Sequence, residues 1–168
     1  MGTARRFAMV ANARIAGLAR CVATVGGVGY LPVAPGTAGT LVGIPVAWML
    51  AGVSFWTYLA CLGVLVGIAI WAVGAADQTW ARQDCQRIVV DELVGYLVTM
   101  APVARNQATP LVVGFVLFRV LDIVKPPPAR YIERHFRSGT GVVLDDVVAG
   151  LYGAALLWLG FRFFALWR

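Results

Sequence analysis

Long apolar stretches alternate with short polar blocks along this chain, and the alternation predicts a bundle of helices in a membrane. Residues 5–20 place apolar and Arg side chains on opposite faces, which predicts an amphipathic helix. Apolar residues predict one span over about 37–51, a second returning over 55–76, and a last one over 147–166. A shorter apolar pair over 93–121 predicts a further hairpin. The predicted fold class is therefore all-α, an integral membrane helical bundle with four or five membrane-inserted helices.

The beginning of the chain differs from the rest because it carries Arg but no acid. Residues 1–25 are predicted to lie on the cytoplasmic membrane surface as an amphipathic helix. Residues 26–168 are predicted to form one membrane-embedded domain. An Arg-rich, acid-free start is also compatible with an organelle transit peptide.

Composition supports the membrane assignment. The chain is 60% hydrophobic and 13% charged, with a mean hydropathy of +0.79, and a soluble core of this size does not need such long apolar runs. A formal net charge of +6 would also suit a nucleic-acid-binding protein. The Arg residues flank apolar stretches, however, where the positive-inside rule and anionic lipid headgroups place them. The predicted partner is therefore the membrane bilayer, and binding to nucleic acid is not predicted.

Lys and Arg are distributed very unequally between the two predicted sides of the membrane. One side has Arg105 and, near the C-terminus, Arg162 and Arg168. The other side has Arg5, Arg6, Arg14, Arg20, Arg82, Arg87, Lys125, Arg130, Arg134 and Arg137. The richer side is predicted to be cytoplasmic. It also holds every acidic residue, so a polar site is predicted at the cytoplasmic face.

The acidic residues are confined to the middle of the chain. All eight lie between Asp77 and Asp146. An ionisable residue in so apolar a chain is a functional candidate by default. The full set is Asp77, Asp84, Asp91, Glu92, Asp122, Glu133, Asp145 and Asp146.

Several classes of catalytic site are excluded by residues that the chain lacks. None of the three Cys is followed six residues later by Arg, as a cysteine phosphatase loop requires, and their wide spacing predicts free thiols. No Asp-x-Asp and no Walker loop occur, and the single His135 excludes sites that need two histidines. Carboxylates, Arg and Lys remain. Carboxylates bind hard cations, and Arg and Lys bind phosphate, so this combination is typical of a site where a hard cation assists a reaction of a phosphate group.

Two pairs of adjacent carboxylates stand where apolar helices are predicted to begin. For Asp91–Glu92, the structural explanation is that an acid at a helix N-terminus interacts favourably with the helix dipole, by ~0.3–1 kcal/mol. This interaction explains one acid but not readily two. Asp145–Asp146 follow a glycine-rich turn, and helix capping is the alternative explanation there. Two carboxylates at the membrane edge are costly unless a cation or an Arg neutralises them. The glycines within 150–153 are predicted to let a neighbouring helix approach closely.

Two further segments carry phosphate-binding chemistry. Arg119, Asp122 and Lys125 are spaced by three, so one helical face presents base, acid and base before prolines end the helix. The alternative is an ion-pair ladder with a structural role. The Gly- and Pro-rich loop around Thr37 can cradle an anion at a helix N-terminus, or it can simply cap that helix.

Three stretches resemble, in order and spacing, the bacterial phosphatidylglycerophosphatase A family. They are GYLPVAPGTAGTL at 29–41, DCQRIVVDELVG at 84–95 and GFVLFRVLDIVKPPPARYIERHFRSGTGVVLDDVVAG at 114–150. One departure is Ser138, where the family pattern has Gly. Ser tolerates most turn geometry other than a positive φ, so the aspartates that follow are little affected.

The resemblance implies an Mg²⁺-dependent, multi-pass phosphatase of the bacterial cytoplasmic (inner) membrane. Its implied reaction converts phosphatidylglycerophosphate to phosphatidylglycerol and inorganic phosphate. The implied catalytic residues are Asp91, Glu92, Asp122 and Lys125. The implied phosphate-binding residues are Thr37, Arg119 and Lys125. The implied metal ligands are Asp84, Asp91, Asp122, Asp145 and Asp146. The number of metal ions, the choice between direct water attack and a phospho-aspartate, and the oligomeric state stay open.

Two other classes of membrane protein are alternatives. A CDP-alcohol phosphotransferase also binds metal through aspartates, but its pattern includes an Asp-Gly that does not occur here. An ion or proton carrier would use an intramembrane carboxylate relay. Such a relay places acids in the middle of the spans, whereas these acids are predicted at the span ends.

Overall fold

The structure is a computed structural model that describes residues 3–78, 80, 85–135 and 139–166, with the side chains of 13–78, 80, 86–132 and 139–163. Seven α-helices and two 3₁₀ turns occur in this part of the chain, which contains no strand, and this confirms the all-α prediction. The helices are α1 (Thr3–Ala23), α2 (Pro35–Met49), α3 (Phe55–Asp77), α4 (Val90–Thr99), α5 (Ala108–Val124), α6 (Ala129–His135) and α7 (Gly139–Leu166). The 3₁₀ turns cover Val28–Tyr30 and Cys85–Arg87.

The helices α2 and α3 are joined by the short connection that the sequence predicts, but they do not pack against each other as a hairpin. α2 packs mainly against α4, and α3 packs mainly against α1 and α7. α2 begins at Pro35, which suits the first position of a helix because no backbone N–H is needed there. α3 begins directly after Ser54, whose hydroxyl accepts a hydrogen bond from the Thr57 N–H at 3.1 Å.

The short helix α4 lies at the centre of the bundle, and all of its residues except Glu92 are buried. Glycines let the neighbouring helices approach it closely. A Cβ on Gly39 of α2 would lie 2.7 Å from the backbone oxygen that directly precedes α4. On α7, a Cβ on Gly150 would collide with the Gly95 carbonyl oxygen, and one on Gly153 would lie 2.7 Å from the Thr99 hydroxyl. The close approach predicted at the two α7 glycines is therefore confirmed.

The last helix begins earlier than the sequence predicts. α7 starts at Gly139 and not near residue 147. Its first residue lies against α3, where a Cβ on Gly139 would be 2.5 Å from the Gly74 nitrogen. Residues expected in a glycine-rich turn therefore form the first helical turn, and Asp145–Asp146 lie inside the second turn of the helix.

The region after α5 also differs from the prediction. α5 ends at Val124 because Lys125 adopts a left-handed conformation with φ 48° and prolines follow it. Lys125 is therefore the residue just past the helix and not the last member of a helical face. The short helix α6 was not predicted, because seven residues after a proline run are too few to show an apolar period.

Within the part of the chain that the structure describes, two helices are long and apolar enough to cross a membrane: α3 over Phe55–Asp77 and α7 over Gly139–Phe163. Both present large apolar side chains on the outside of the bundle, including Trp56 at 77% exposed and Phe163 at 59%. Exposed apolar surface on this scale is typical of a surface that contacts another apolar phase. α2 and α5 are shorter, with 15 and 17 residues.

Candidate active site

Three helices bring polar side chains together at one end of the bundle. The side chains come from the first turn of α4 (Asp91, Glu92), the last turns of α5 (Arg119, Asp122), the residue after α5 (Lys125) and the second turn of α7 (Asp145, Asp146). Segments far apart in the sequence thus meet because α4 is packed between its neighbours.

The carboxylate cluster, defined as Asp91, Glu92 and Asp146, lies at the centre of this end. One carboxylate oxygen from each residue lies within 4.8 Å of the others. Asp91 is 6% exposed and Asp146 is 4% exposed. The Glu92 N–H donates a hydrogen bond to Asp91 Oδ1 at 3.1 Å, which fixes one carboxylate of the cluster on the first turn of α4. Oxygen atoms so close together are arranged to share a cation or a proton.

Asp122 connects the carboxylate cluster to a cationic side chain. Its carboxyl group lies close to that of Asp146. Its Oδ2 accepts a hydrogen bond from Arg119 Nη1 at 2.7 Å, which is an i,i+3 ion pair on α5. Arg119 is thus held beside the carboxylate cluster.

Lys125 reaches across to α7. Its ammonium donates a hydrogen bond to Asp145 Oδ2 at 2.7 Å. The Asp145 side chain is 5% exposed, whereas that of Lys125 is 25% exposed. The predicted base–acid–base face is thus split: Arg119 pairs with Asp122 on α5, and Lys125 pairs with the neighbouring helix.

The first turn of α2 closes the site from the other side. A Cβ on Gly36 would collide with Glu92 Oε1 and would lie 3.6 Å from Arg119 Nη1. A side chain at this position would therefore displace the Glu92 carboxylate, while the Arg119 guanidinium lies at ordinary van der Waals distance. Thr37, the next residue, is half-buried in the same turn. The N-terminus of α2 carries a partial positive charge, which favours an anion at this place.

Charge is unbalanced at this end of the bundle. Five carboxyl groups face two cationic side chains among the described residues. Burial and the charge of Asp91 raise the pKa of Glu92 to about 10, and burial raises the pKa of Asp91 above its usual value. Among the described residues, the buried Glu92 Oε2 has no hydrogen-bond partner.

A divalent cation fits this donor set. Every donor atom in the carboxylate cluster is an oxygen, the ligand that hard cations such as Mg²⁺ take. A cation would also offset the excess negative charge of the buried carboxyl groups. Asp122 lies beside the cluster, and Asp145 lies beside Lys125.

The predicted site residues fall into three groups. Asp91, Glu92, Asp122 and Asp146 lie together, with Arg119, Lys125 and Asp145 around them. Thr37 lies in the α2 turn that borders Glu92. Asp84 lies outside the described residues. Gly36 was not singled out from the sequence, although a glycine in the first turn of a helix, directly after a proline, was the signal available.

The chain is similar to known proteins over most of its length. A family model described as Phosphatidylglycerophosphatase A matches residues 21–161. The chain is 34% identical to Phosphatidylglycerophosphatase A of Escherichia coli (strain K12), over 79% of the chain and 77% of that relative. It is 33% identical to Phosphatidylglycerophosphatase A of Haemophilus influenzae, over 78% of the chain and 81% of the relative.

A third relative has a different printed name. The chain is 37% identical to a Putative phosphatidylinositol-3-phosphatase of Bacteroides thetaiotaomicron, over 78% of the chain and 86% of that relative. No solved structure matches the chain.

Proposed function

Since this chain belongs to the phosphatidylglycerophosphatase A family and is a phosphatase, we propose that it hydrolyses phosphatidylglycerophosphate to phosphatidylglycerol and inorganic phosphate. Two of its relatives are named for that substrate, and the third is named for another phosphorylated lipid. A lipid phosphatase is common to all three names. The specific substrate and the dependence on Mg²⁺ are the proposed part.

The observation that carries the proposal is the carboxylate cluster beside two cationic side chains. In this proposal Asp91, Asp146 and Asp122 hold the divalent cation, and Asp84 adds a further ligand. When bound, Mg²⁺ would offset the negative charge of the phosphate and orient a water molecule. The close approach of Gly36 to Glu92 supports this assignment, because it places the first turn of α2 beside the carboxylate cluster.

The cationic side chains hold the phosphate in this proposal. Arg119 presents its guanidinium from α5, and Lys125 presents its ammonium from the turn that follows. Charge-assisted hydrogen bonds to phosphate oxygens are the strong ones, and both side chains lie at the edge of the cluster. Thr37 and the N-terminus of α2 complete the phosphate site. Asp145 acts through Lys125, whose ammonium it fixes, in addition to its implied place near the metal.

Glu92 is the proposed general base. Its Oε2 has no hydrogen-bond partner among the described residues, so this oxygen has a free lone pair with which to accept a proton from water. The attacking water gives its proton to Glu92 Oε2 as its oxygen forms a bond to phosphorus. The bond from phosphorus to the glycerol oxygen then breaks, and that oxygen takes the proton back from Glu92.

The proposed setting is the bacterial cytoplasmic membrane, with four or five helices inserted and the site at the cytoplasmic face. Residues 1–25 would lie on the membrane surface, and 26–168 would form the embedded domain. The apolar exterior of α3 and α7 supports this arrangement. So does the concentration of Lys and Arg on the side that carries the carboxylates.

The test is phosphate release from phosphatidylglycerophosphate by the purified protein in a neutral detergent. We expect turnover with Mg²⁺, loss of turnover after exhaustive chelation, and recovery when Mg²⁺ is returned. Phosphatidylinositol 3-phosphate and a CDP-alcohol acceptor pair are run in parallel. Faster turnover of either, or full activity after chelation, would overturn the proposed reaction.

A further inference from the structure

The turn after α5 carries a third cationic side chain that the proposed reaction does not use. Arg130 is exposed, and its Nη2 donates a hydrogen bond to the Val124 carbonyl oxygen at 2.9 Å. That carbonyl is its only hydrogen-bond partner among the described residues, and it forms no ion pair with any of them. Arg119 and Lys125, by contrast, each pair with a carboxylate. Arg130 thus keeps most of its five N–H donors for a ligand.

Arg130 is held next to the proposed phosphate site. Val124 directly precedes Lys125, so the Arg130 guanidinium lies beside the backbone of the residue whose ammonium reaches Asp145. The turn between them is fixed by two further hydrogen bonds. The Ala129 N–H donates to the Pro126 carbonyl at 2.9 Å. The Tyr152 hydroxyl of α7 donates to the Pro127 carbonyl at 2.8 Å.

Exposed apolar side chains flank Arg130 and the carbonyl to which it is bonded. Ile123 is 72% exposed, Val124 is 55% exposed and Tyr131 is 59% exposed. In order of increasing exposure, this part of the protein therefore presents buried carboxylates, the ammonium of Lys125 with its side chain 25% exposed, and then the exposed Arg130 guanidinium together with exposed apolar side chains. A guanidinium bordered by apolar and aromatic side chains suits the level of lipid headgroups.

The same order of chemical groups occurs along the proposed substrate. A terminal phosphate monoester is followed by a glycerol unit, a phosphodiester and two acyl chains. We propose that Arg130 binds the phosphodiester of the lipid and so determines specificity for a substrate with two phosphates. This inference rests on the proposed function, which assigns the monoester to the cluster with Arg119 and Lys125. Arg suits this role because its planar guanidinium can bind two phosphate oxygens at once.

The test separates the two phosphates of the substrate by using Arg130→Gln. The charge is lost, while the turn keeps the Ala129–Pro126 and Tyr152–Pro127 hydrogen bonds. We expect KM for phosphatidylglycerophosphate to rise ~10–100-fold, as for loss of a charge-assisted contact, with kcat within about twofold. Inhibition by inorganic phosphate, which occupies only the monoester position, should be unchanged. Arg130→Lys should recover part of the KM.

Two controls make the result decisive. Arg162→Gln removes an exposed Arg from the far part of α7, and it should leave KM unchanged in neutral detergent micelles. An unchanged KM for Arg130→Gln, or an equal weakening of phosphate inhibition, would overturn the assignment of the phosphodiester to Arg130. A wild-type protein that does not hydrolyse phosphatidylglycerophosphate would instead overturn the proposed function itself.

Discussion

Charged side chains are buried both at the C-terminal ends of α2 and α4 and at their N-terminal ends, but their surroundings differ. At the C-terminal ends, Arg105 is 7% exposed and donates hydrogen bonds to the carbonyls of Leu50, Met100, Ala101 and Val103 at 3.3–3.5 Å. Its guanidinium also lies 3.9 Å from the centre of the Tyr58 ring. One cation is thus surrounded by the oxygen atoms of two helix ends and by an aromatic face.

At the N-terminal ends, carboxyl groups outnumber cationic side chains among the described residues. Five carboxyl groups share two cationic side chains, and Glu92 Oε2 has no hydrogen-bond partner among the described residues. Burying charge without compensation costs stability, so it persists where a ligand supplies what is missing. The end with Arg105 therefore has the properties of a site that stabilises the fold, and the end with the carboxylates has those of a binding site. Substitutions at the two ends should separate stability from activity.

The largest effect is expected from Asp146→Asn at the carboxylate end. Asn keeps the shape but removes the charge from a side chain that is 4% exposed. We expect kcat to fall by more than ~100-fold, because even the loss of a residue that only hydrogen-bonds to a metal ligand costs ~10–100-fold in activity. Without metal, the melting temperature should stay equal or rise, because repulsion within the cluster decreases. Phosphate release and thermal unfolding, measured on the same preparation, check both parts.

A matched control for that variant is Asp77→Asn at the end of α3, an acid outside the site. It should keep turnover within about twofold. Near-normal turnover for Asp146→Asn, or a large loss of its metal-free stability, would show that the carboxylate cluster is structural.

Arg105→Met should have the opposite profile. It removes the donor to four carbonyls and the cation over Tyr58, so the loss of stability should be about 2–4 kcal/mol. Thermal unfolding should show a decrease of roughly 5–15 °C. The folded fraction should keep its affinity for metal and most of its kcat. A selective loss of activity at unchanged stability would contradict the structural role of Arg105.

Lys125→Met tests a residue for which we expect both roles, binding of phosphate and neutralisation of a buried carboxylate. We expect kcat/KM to fall ~10–100-fold through loss of a phosphate contact, while the affinity for metal changes little. The variant should also lose stability, because the buried Asp145 loses its ion pair. Adding Asp145→Asn should recover stability but not activity. Recovery of activity in the double variant would show that Lys125 only neutralises Asp145.

The sequence predicts only part of this difference between the two ends of the bundle, and the physical reason differs from residue to residue. The all-α fold, the short connection between α2 and α3 and the close approach at Gly150 follow from apolar runs and small residues, which act locally. The packing of α2 against α4 and not against α3 does not follow from them. The pairing of Lys125 with Asp145 does not, because it depends on where α5 ends and how α7 packs. The role of Arg105 was equally hidden, since its acceptors are backbone carbonyls, which every residue has.

The smallest effect is expected midway between the two ends, from Thr99→Val. The Thr99 hydroxyl lies 3.1 Å from the Gly95 carbonyl oxygen of its own helix and 3.3 Å from the Gly150 carbonyl oxygen of α7. Val has the same shape but cannot donate, so α4 and α7 lose one hydrogen bond between them. Interhelical hydrogen bonds of this kind average ~0.6 kcal/mol, which would lower the melting temperature by roughly 1–3 °C.

Thr40→Val is the matched control for this substitution, since Thr40 is equally buried but bonds only within α2, to the Gly36 carbonyl at 3.0 Å. Its melting temperature should change less than that of Thr99→Val. Turnover of Thr99→Val should match wild type, because the hydroxyl touches neither the carboxylate cluster nor Arg105. A clear loss of turnover would mean that the α4–α7 contact sets the geometry of the cluster, and the two ends would then not be independent.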